Sequence, residues 1–317
     1  MKLMNPEAVQ DDPAVQNSWR HGEVIANGVQ LHYVEAGNPD GELVLLLHGF
    51  PECWYSWRLQ IGPLADTGRR VIALDLPGFG QSDKPAGVEA YNLDTLAADI
   101  AGCVDRLNHG RPAAALIGHD WGGSIAWTIG VLYPETARRL VVVNCPPAYA
   151  LRRAWRNPKQ ALKSGYVFFF QIPRLPEALL RSGGFRFVDQ SLEPARRRNP
   201  NGVTAEDVAY ERMEMARPGA LTSALNYYRA LVRLGPATLR RMEQPVGVPT
   251  LLIWGDHDPY AQVELTRDLP MWATHGRVAH LPDAGHFSHQ EEPERVNQLL
   301  TDFLAFDSPL ATRKGRR

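Results

Sequence analysis

Asp120 lies between glycines in surroundings that are typical of a catalytic nucleophile. An apolar run at 115–117 precedes the segment Gly-His-Asp-Trp-Gly-Gly at 118–123, and a helix-forming run begins at Ser124. A strand, a glycine-flanked turn and a helix form a nucleophile elbow, because small neighbours allow the sharp backbone turn that exposes one side chain. A carboxylate presented in this way can attack an electrophilic alkyl carbon and form an ester. The candidate substrates are therefore epoxides and alkyl halides.

A second pair of residues could hydrolyse an ester formed on Asp120. His286 and Asp258 each follow an apolar, strand-like run, in loops where a rigid scaffold can hold catalytic side chains. His286 can take a proton from water, while Asp258 orients the imidazole ring and stabilises its protonated form. The three residues follow one another in the order nucleophile, acid, histidine. Asp256 is a rival for the role of the acid, although its position favours a turn.

Two backbone amides are candidates for stabilising negative charge during hydrolysis. The amide of Trp121 follows the nucleophile directly, and the amide of Phe50 lies in the segment His-Gly-Phe-Pro at 48–51. Both could donate to the oxyanion that forms on the Asp120 carboxyl carbon. Pro51 would fix the turn that presents Phe50, with a cis bond as one alternative.

The sequence does not indicate metal or cofactor chemistry. His286 and His289 have a spacing that occurs in metal sites, but no set of carboxylates or cysteines completes one. Cys53, Cys103 and Cys145 are odd in number and widely separated, so we expect free thiols in a reducing compartment. We therefore expect neither a metal nor a cofactor.

The elements that must position these residues alternate between two patterns. Six apolar runs predict strands, at 43–47, 71–74, 115–117, 140–143, 248–254 and 277–281. A helical pattern covers 93–104, and Asn27-Gly28 predicts a hairpin turn between two short strands. Buried strands that alternate with helices predict an α/β fold with a mostly parallel sheet flanked by helices on both sides.

The pattern changes between 146 and 235, where arginines and aromatic residues accompany helical runs without a clear buried strand. Sheet-type runs resume after this interval, so we interpret it as a helical cap (lid) inserted into one core. The core then comprises 22–145 and 236–306. We expect 1–21 to form an N-terminal extension and 307–317 to form a basic C-terminal tail.

The composition fits a globular protein and excludes some partners. Hydrophobic residues make up 44% and charged residues 22% of the 317 residues, and the formal net charge is −1. This charge gives no general attraction to nucleic acid or to an anionic membrane, and no apolar stretch reaches membrane-spanning length. The N-terminus lacks the apolar core of a signal peptide, so we expect a cytoplasmic protein. The oligomeric state stays open, with a homodimer as one alternative.

The chain resembles the epoxide hydrolases of the α/β-hydrolase superfamily from about residue 22 to residue 304. The resemblance rests on motifs at 48–52, 54–58, 75–83, 118–123, 255–258 and 285–286. Many α/β-hydrolases share the glycine motifs, whereas their combination with Asp120-Trp121 is specific. The resemblance implies an α/β-hydrolase fold with a cap domain, and hydrolysis of a small apolar epoxide by water to a vicinal diol without a cofactor.

The resemblance also implies two cap tyrosines that activate the epoxide oxygen. Tyr166 and Tyr228 fall on the positions that members of this family use. Ring opening generates an alkoxide, and phenolic hydrogens can bond or protonate it without a metal. Tyr227 is an alternative to Tyr228, since neighbouring residues of a helix point about 100° apart and one of the two can face the site.

Two other functions remain alternatives at this point. A haloalkane dehalogenase shares the ester chemistry and the tryptophan after the nucleophile, but Phe50 offers no side-chain N–H for a halide and both cap tyrosines are present. A binding protein with this fold would not need the complete triad. A serine esterase is disfavoured, because Ser124 lies within the predicted helix and not at the turn.

Overall fold

The described residues form an α/β structure around one eight-stranded sheet. The computed structural model describes residues 19–305, so the predicted tail at 307–317 and most of the predicted N-terminal extension lie outside the described residues. The strands are β1 (Arg20–Ala26), β2 (Val29–Gly37), β3 (Leu43–Leu47), β4 (Arg70–Leu74), β5 (Ala115–His119), β6 (Leu140–Val143), β7 (Thr250–Gly255) and β8 (Gly276–Leu281). Their order across the sheet is β1-β2-β4-β3-β5-β6-β7-β8.

Helices connect the strands and form a separate layer between β6 and β7. The core helices are α1 (Arg58–Ala65), α2 (Leu93–Leu107) and α3 (Trp121–Leu132) before that layer, and α12 (Leu269–Trp272), α13 (Ser288–Glu291) and α14 (Pro293–Ala305) after it. The intervening helices are α4 (Ala148–Ala154), α5 (Pro158–Lys163), α6 (Gly165–Phe169), α7 (Leu175–Ser182), α8 (Arg186–Arg198), α9 (Ala205–Met215), α10 (Ala220–Arg233) and α11 (Pro236–Met242). Short 3₁₀ helices cover Trp54–Trp57, Glu89–Tyr91, Pro134–Thr136 and Val263–Asp268.

The predicted hairpin forms the antiparallel end of the sheet. β1 pairs antiparallel with β2, and the turn residues Asn27 and Gly28 have φ of 51° and 84°. Two consecutive residues with positive φ form the tight turn that matches the twist of the flanking strands. β2 is also antiparallel to β4, whereas β3 to β8 pair in parallel with their neighbours.

Alternate residues of the central strands face two separate cores. Every residue of β3 is buried; Leu43, Leu45 and Leu47 face the core that includes α2 and α3, while Val44 and Leu46 face the core that includes α1 and α14. A strand that is covered on both faces needs apolar residues at every position, which explains the continuous apolar runs. The predicted α/β fold with a mostly parallel sheet and helices on both faces is therefore confirmed.

The cap lies over the loops that follow the carboxyl ends of the strands. Phe50, in the loop after β3, stacks on Phe187 of α8 with ring centroids 5.7 Å apart. The Tyr227 hydroxyl of α10 donates to the carbonyl oxygen of Pro77, after β4, at 2.7 Å. These contacts confirm the predicted helical cap, while the division of the chain into domains at 22, 145, 235 and 306 stays a prediction. Within residues 19–305, no helix has the length and apolar character needed to cross a bilayer.

Candidate active site

Asp120 lies at a sharp turn between β5 and α3. Its φ is 47° and its ψ is −113°, an unusual backbone conformation for a residue with a side chain. The turn requires small neighbours, because a Cβ atom at Gly118 would overlap the carbonyl oxygen of Gly122. A Cβ atom at Gly122 would in turn overlap the carbonyl oxygen of Leu47. The glycines of this segment therefore let the carboxylate project from the end of β5.

Both oxygens of the Asp120 carboxylate have neighbours that suit a nucleophile. The Phe50 amide donates to Oδ1 at 3.0 Å, and the Phe50–Pro51 peptide bond is cis. Nε2 of His286 lies 3.6 Å from Oδ2. Trp121, the other predicted donor of a backbone N–H, follows Asp120 directly as the first residue of α3. The carboxylate is thus held by an amide on one side and faces a histidine on the other.

Asp258 binds the opposite side of the His286 ring. Its Oδ2 lies 2.8 Å from Nδ1 of His286, and its Oδ1 accepts the backbone N–H groups of Tyr260 and Ala261 at 2.7 and 3.0 Å. Burial alone would raise the pKa of Asp258, but His286, the Ala261 amide and the Asn144 side chain stabilise the anion and hold the pKa below its ordinary value. Asp258 is therefore an anion that fixes the orientation of the ring.

The rival acid, Asp256, pairs with a different histidine and not with His286. Its Oδ1 lies 2.6 Å from Nδ1 of His280, in a partly exposed position. Asp256 and Asp258 are separated by one residue, yet they pair with different histidines because the loop turns between them.

His286 lies between two carboxylates, and this determines its charge. Burial alone disfavours a charged ring, but the negative charges of Asp258 and Asp120 outweigh burial and hold the pKa of His286 well above its usual range. In the unreacted protein the two carboxylates therefore favour the protonated form of the ring. A change in the charge of Asp120 would change this balance.

Tyr166 and Tyr228 line a cavity above Asp120. Their ring centroids lie 5.6 Å apart, on α6 and α10. The cavity has a volume of about 40 Å³. Its lining combines the polar groups of the site with apolar cap residues, namely Asp120, Trp121, Ser124, Asn144, Cys145, Pro146, Ala148, Leu151, Ser164, Tyr166, Val167, Tyr228, Leu231, Tyr260, Ala261 and His286.

Both phenols stay protonated in this environment. Burial, followed by the negative charge of Asp120, raises the pKa of Tyr166 well above its ordinary value. Burial, followed by the neighbouring Tyr166 and Asp120, raises the pKa of Tyr228 in the same direction. The hydroxyl groups are thus hydrogen-bond donors at any physiological pH. Tyr227, the alternative, donates instead to the loop after β4 and does not line the cavity.

Comparison with known proteins agrees with this geometry. Residues 42–293 match the α/β-hydrolase fold family. The chain is 38% identical to epoxide hydrolase 4 of Mus musculus, over 95% of this chain and 83% of that protein. The chain belongs to the epoxide hydrolase family of the α/β-hydrolase fold.

Two further family relatives span nearly the same length. The AB hydrolase superfamily protein YfhM of Bacillus subtilis is 39% identical, over 89% of this chain and 96% of that protein. The crystal structure of an epoxide hydrolase from Bacillus megaterium superposes with a TM-score of 0.79 at 33% identity, over 90% of this chain and 100% of that chain.

Asn144 is part of this epoxide hydrolase site, although the sequence did not predict a functional role for it. Its Nδ2 donates to Oδ2 of Asp258 at 2.8 Å, and its Oδ1 accepts the Gly255 amide and the Ser288 hydroxyl at 3.1 and 2.7 Å. Its φ is 50°, a conformation that asparagine tolerates. The sequence signal that could have identified it is a polar residue directly after the apolar strand β6, because such a residue lies at the same edge of the sheet as the nucleophile.

A buried network behind His286 is the nearest candidate for a metal site. Atoms of Glu52, His119 and His289 that could act as ligands lie within 4.8 Å of one another. Glu52 accepts the Gly49 amide and lies 2.8 Å from Nδ1 of His119, whose Nε2 donates to the carbonyl oxygen of His286 at 2.9 Å. These bonds hold the loop of His286 in place, so the described contacts indicate a structural role for this cluster. The expectation that the protein needs no metal stays a prediction.

Proposed function

We propose that this chain hydrolyses a small apolar epoxide to a vicinal diol through a covalent ester on Asp120. One observation carries the proposal: the Asp120 carboxylate faces a cavity that is bordered by two protonated phenols and by His286. The named family relatives that are epoxide hydrolases support the same activity over a dehalogenase or a binding protein without turnover. The apolar part of the cavity wall suits a substrate without charge.

In the first step, Oδ2 of Asp120 attacks a carbon of the epoxide ring. The ring C–O bond breaks, and its oxygen takes a proton from Tyr166 or Tyr228 to become the first hydroxyl group. Ring strain drives this attack, and the two phenols stabilise the leaving oxygen. The phenolate then takes up the proton that the His286 imidazolium gives up, by way of solvent, and the product of this step is a neutral ester.

Ester formation changes the charge of His286. Once Asp120 is esterified, one of the two negative charges that hold the proton on the imidazole is gone. The ring releases its proton to the phenolate formed in the first step and becomes a base that faces the ester, while Asp258 keeps its orientation. The histidine is therefore converted from an acid to a base by the first step.

In the second step, water attacks the carboxyl carbon of the ester. Nε2 of His286 takes the proton of this water, and the amides of Phe50 and Trp121 stabilise the oxyanion. The bond between the carboxyl carbon and the substrate oxygen then breaks, and the proton passes from His286 to the departing alkoxide. The diol leaves, and the Asp120 carboxyl, which carries one oxygen that came from water, gives its remaining proton to His286, so that both groups return to their starting charges.

A single turnover in ¹⁸O-water tests this route. Excess enzyme is mixed with styrene oxide, and the peptide that contains Asp120 is analysed by mass spectrometry together with the diol. We expect one ¹⁸O in the Asp120 peptide and none in the diol from the first turnover. Label in the diol with none in Asp120 would contradict the ester and indicate direct attack by water. A lack of any diol, with halide released from haloalkanes, would contradict epoxide hydrolysis itself.

A further inference from the structure

The small net charge of the chain conceals an uneven distribution. The interval 146–235 contains 15 lysines and arginines but only 7 aspartates and glutamates, a net charge of +8, whereas the whole chain has 34 and 35. The excess of positive charge is larger in the first half of this interval, since 146–186 contains eight cations and one carboxylate, Glu177. Glu177 lies 2.9 Å from Arg229, so its charge is compensated locally. This part of the cap is therefore strongly basic.

The same part of the cap carries most of the exposed large hydrophobic side chains. Of seven such side chains among residues 19–305, five lie between 162 and 179, with exposed fractions from 43% to 84%. They are Leu162, Phe168, Ile172, Leu175 and Leu179. In α7, Leu175 and Leu179 are exposed although Pro176 is buried and Leu180 packs against the core. The helix thus has enough apolar residues to pack inward and still presents others to solvent.

We propose that residues 162–186, the basic–apolar surface, bind an anionic lipid bilayer. Exposed leucines and phenylalanine enter the boundary between headgroups and acyl chains, while arginines bind lipid phosphates. Arg174, Arg181 and Arg186 are exposed, and none of them is paired with a carboxylate in the described residues. Their charges are consequently available to lipid.

A bilayer fits this surface better than a second copy of the chain. The rest of the molecule has a net charge of −9, the difference between −1 for the chain and +8 for 146–235. A second copy of the chain could therefore attract the arginines of the basic–apolar surface by charge. It offers only two exposed large hydrophobic side chains among its described residues, Ile25 and Met271, against five in the basic–apolar surface. A bilayer supplies both negative charge and an apolar phase over the whole surface.

The location of the surface also connects it to the cavity. Phe168 is exposed and Tyr166 lines the cavity, and both belong to the single short helix α6. Apolar epoxides concentrate in the acyl region of a bilayer, so a bound enzyme would take substrate from the side of the cap. This last point rests on the proposed function, whereas lipid binding itself does not.

Co-sedimentation with vesicles tests the proposal with the full chain. The vesicles consist either of phosphatidylcholine alone or of phosphatidylcholine with phosphatidylglycerol. We expect binding to the anionic vesicles that falls as salt is added, and little binding to the neutral vesicles. The variant Arg181→Gln/Arg186→Gln should bind roughly 30-fold more weakly, since each cation near the surface contributes about 1 kcal/mol. Leu175→Ser/Leu179→Ser should also lose most of its binding.

Matched variants outside the basic–apolar surface serve as controls. Ile25→Ser/Met271→Ser removes the other two exposed hydrophobic side chains, and Arg106→Gln/Arg267→Gln removes two exposed cations of the core. Both should bind like the parent protein. Equal binding by all four variants, or equal binding to both kinds of vesicle, would overturn the proposal. A dimer that the cap variants dissociate, without vesicle binding, would assign the surface to a second copy instead.

Failure of the lipid proposal and failure of the proposed function are distinguishable. Hydrolysis of a water-soluble epoxide is measured without vesicles for the parent and for the cap variants, and should be the same in all. Diol formation without vesicle binding would overturn only the lipid proposal. Vesicle binding without diol formation from any epoxide would contradict only the proposed function.

Discussion

At the scale of single residues, the position of His286 between two carboxylates determines what it can do. Nδ1 lies 2.8 Å from Asp258, and Nε2 lies 3.6 Å from Asp120. Asp258 keeps its charge throughout the proposed reaction, whereas Asp120 loses its charge when the ester forms. The first step thereby activates the residue that the second step needs.

The variant His286→Gln should stop the reaction at the ester. Alkylation of Asp120 remains, because it needs no base, while loss of the general base should slow ester hydrolysis by roughly 10²–10⁴-fold. Intact-mass spectrometry after one equivalent of epoxide should show a protein heavier by the mass of the substrate. The control His280→Gln changes a histidine that pairs with Asp256 outside the site and should leave turnover unchanged. Full turnover by His286→Gln would contradict the role of this residue.

At the scale of elements, two cap helices bring the tyrosines together. Gln171, just after α6, donates from Nε2 to the Val167 carbonyl oxygen at 2.9 Å and to the Tyr228 carbonyl oxygen at 3.1 Å. This side chain joins α6 to α10, so that Tyr166 and Tyr228 face one cavity. The neighbour Tyr227 points to the loops of the core, as the rotation between successive helical residues requires.

Removing the phenolic hydroxyl groups should slow alkylation and leave the rest of the reaction intact. We expect Tyr166→Phe and Tyr228→Phe each to reduce the rate of ester formation, and the double variant to reduce it by roughly 10²–10⁴-fold. Stopped-flow measurement of a single turnover gives this rate separately from ester hydrolysis. Unchanged alkylation in the double variant would argue against both tyrosines.

Tyr227→Phe is the matched control for these variants. It removes a hydroxyl group that bonds to Pro77 and lies outside the cavity wall, so alkylation should not change. The free energy of unfolding should fall by about 1–3 kcal/mol, because a buried carbonyl oxygen loses its partner. The opposite pattern, slow alkylation at full stability, would favour Tyr227 as the active tyrosine.

The local sequence pattern was sufficient to predict the strands and helices, but not all of the contacts among them. Continuous apolar runs such as β3 predict buried strands, and polar residues after them must gather at one edge of a parallel sheet, as Asp120, Asp258 and His286 do. The bond from Asn144 to Asp258 depends on how closely the loops after β6 and β7 approach, which no local pattern specifies. The exposure of Leu175 and Leu179 depends on helix packing in the cap, which sequence periodicity alone cannot give.

At the scale of the whole molecule, two of the three thiols are shielded by the fold. Cys53, Cys103 and Cys145 are free and buried, as the sequence predicted for their pairing state. Burial raises the pKa of Cys103 to about 12 and raises the pKa of the other two thiols above the ordinary value. Cys145 borders the cavity, whereas Cys53 and Cys103 are both protonated and inaccessible, and such a thiol does not react with an electrophile.

The native protein should therefore resist thiol labelling at these two cysteines. We expect iodoacetamide at pH 8 to modify Cys53 and Cys103 at least roughly 1,000-fold more slowly than in the unfolded chain, because only the small unfolded fraction reacts. Mass spectrometry counts the labels, and a sample in denaturant should acquire all three. Rapid modification of Cys53 or Cys103 in the native protein would contradict the shielding inferred for that position.

The cap leaves the sheet after β6 and rejoins it at β7, its parallel neighbour. Asp120, Asp258 and His286 all come from outside this insertion, which contributes the two tyrosines and much of the cavity wall. Variation among the other residues of the helical layer can thus change which substrates the cavity admits, while the triad and the two cap tyrosines are retained. A gene organised in this way can change the substrate range of its enzyme by exchanging one contiguous stretch of coding sequence.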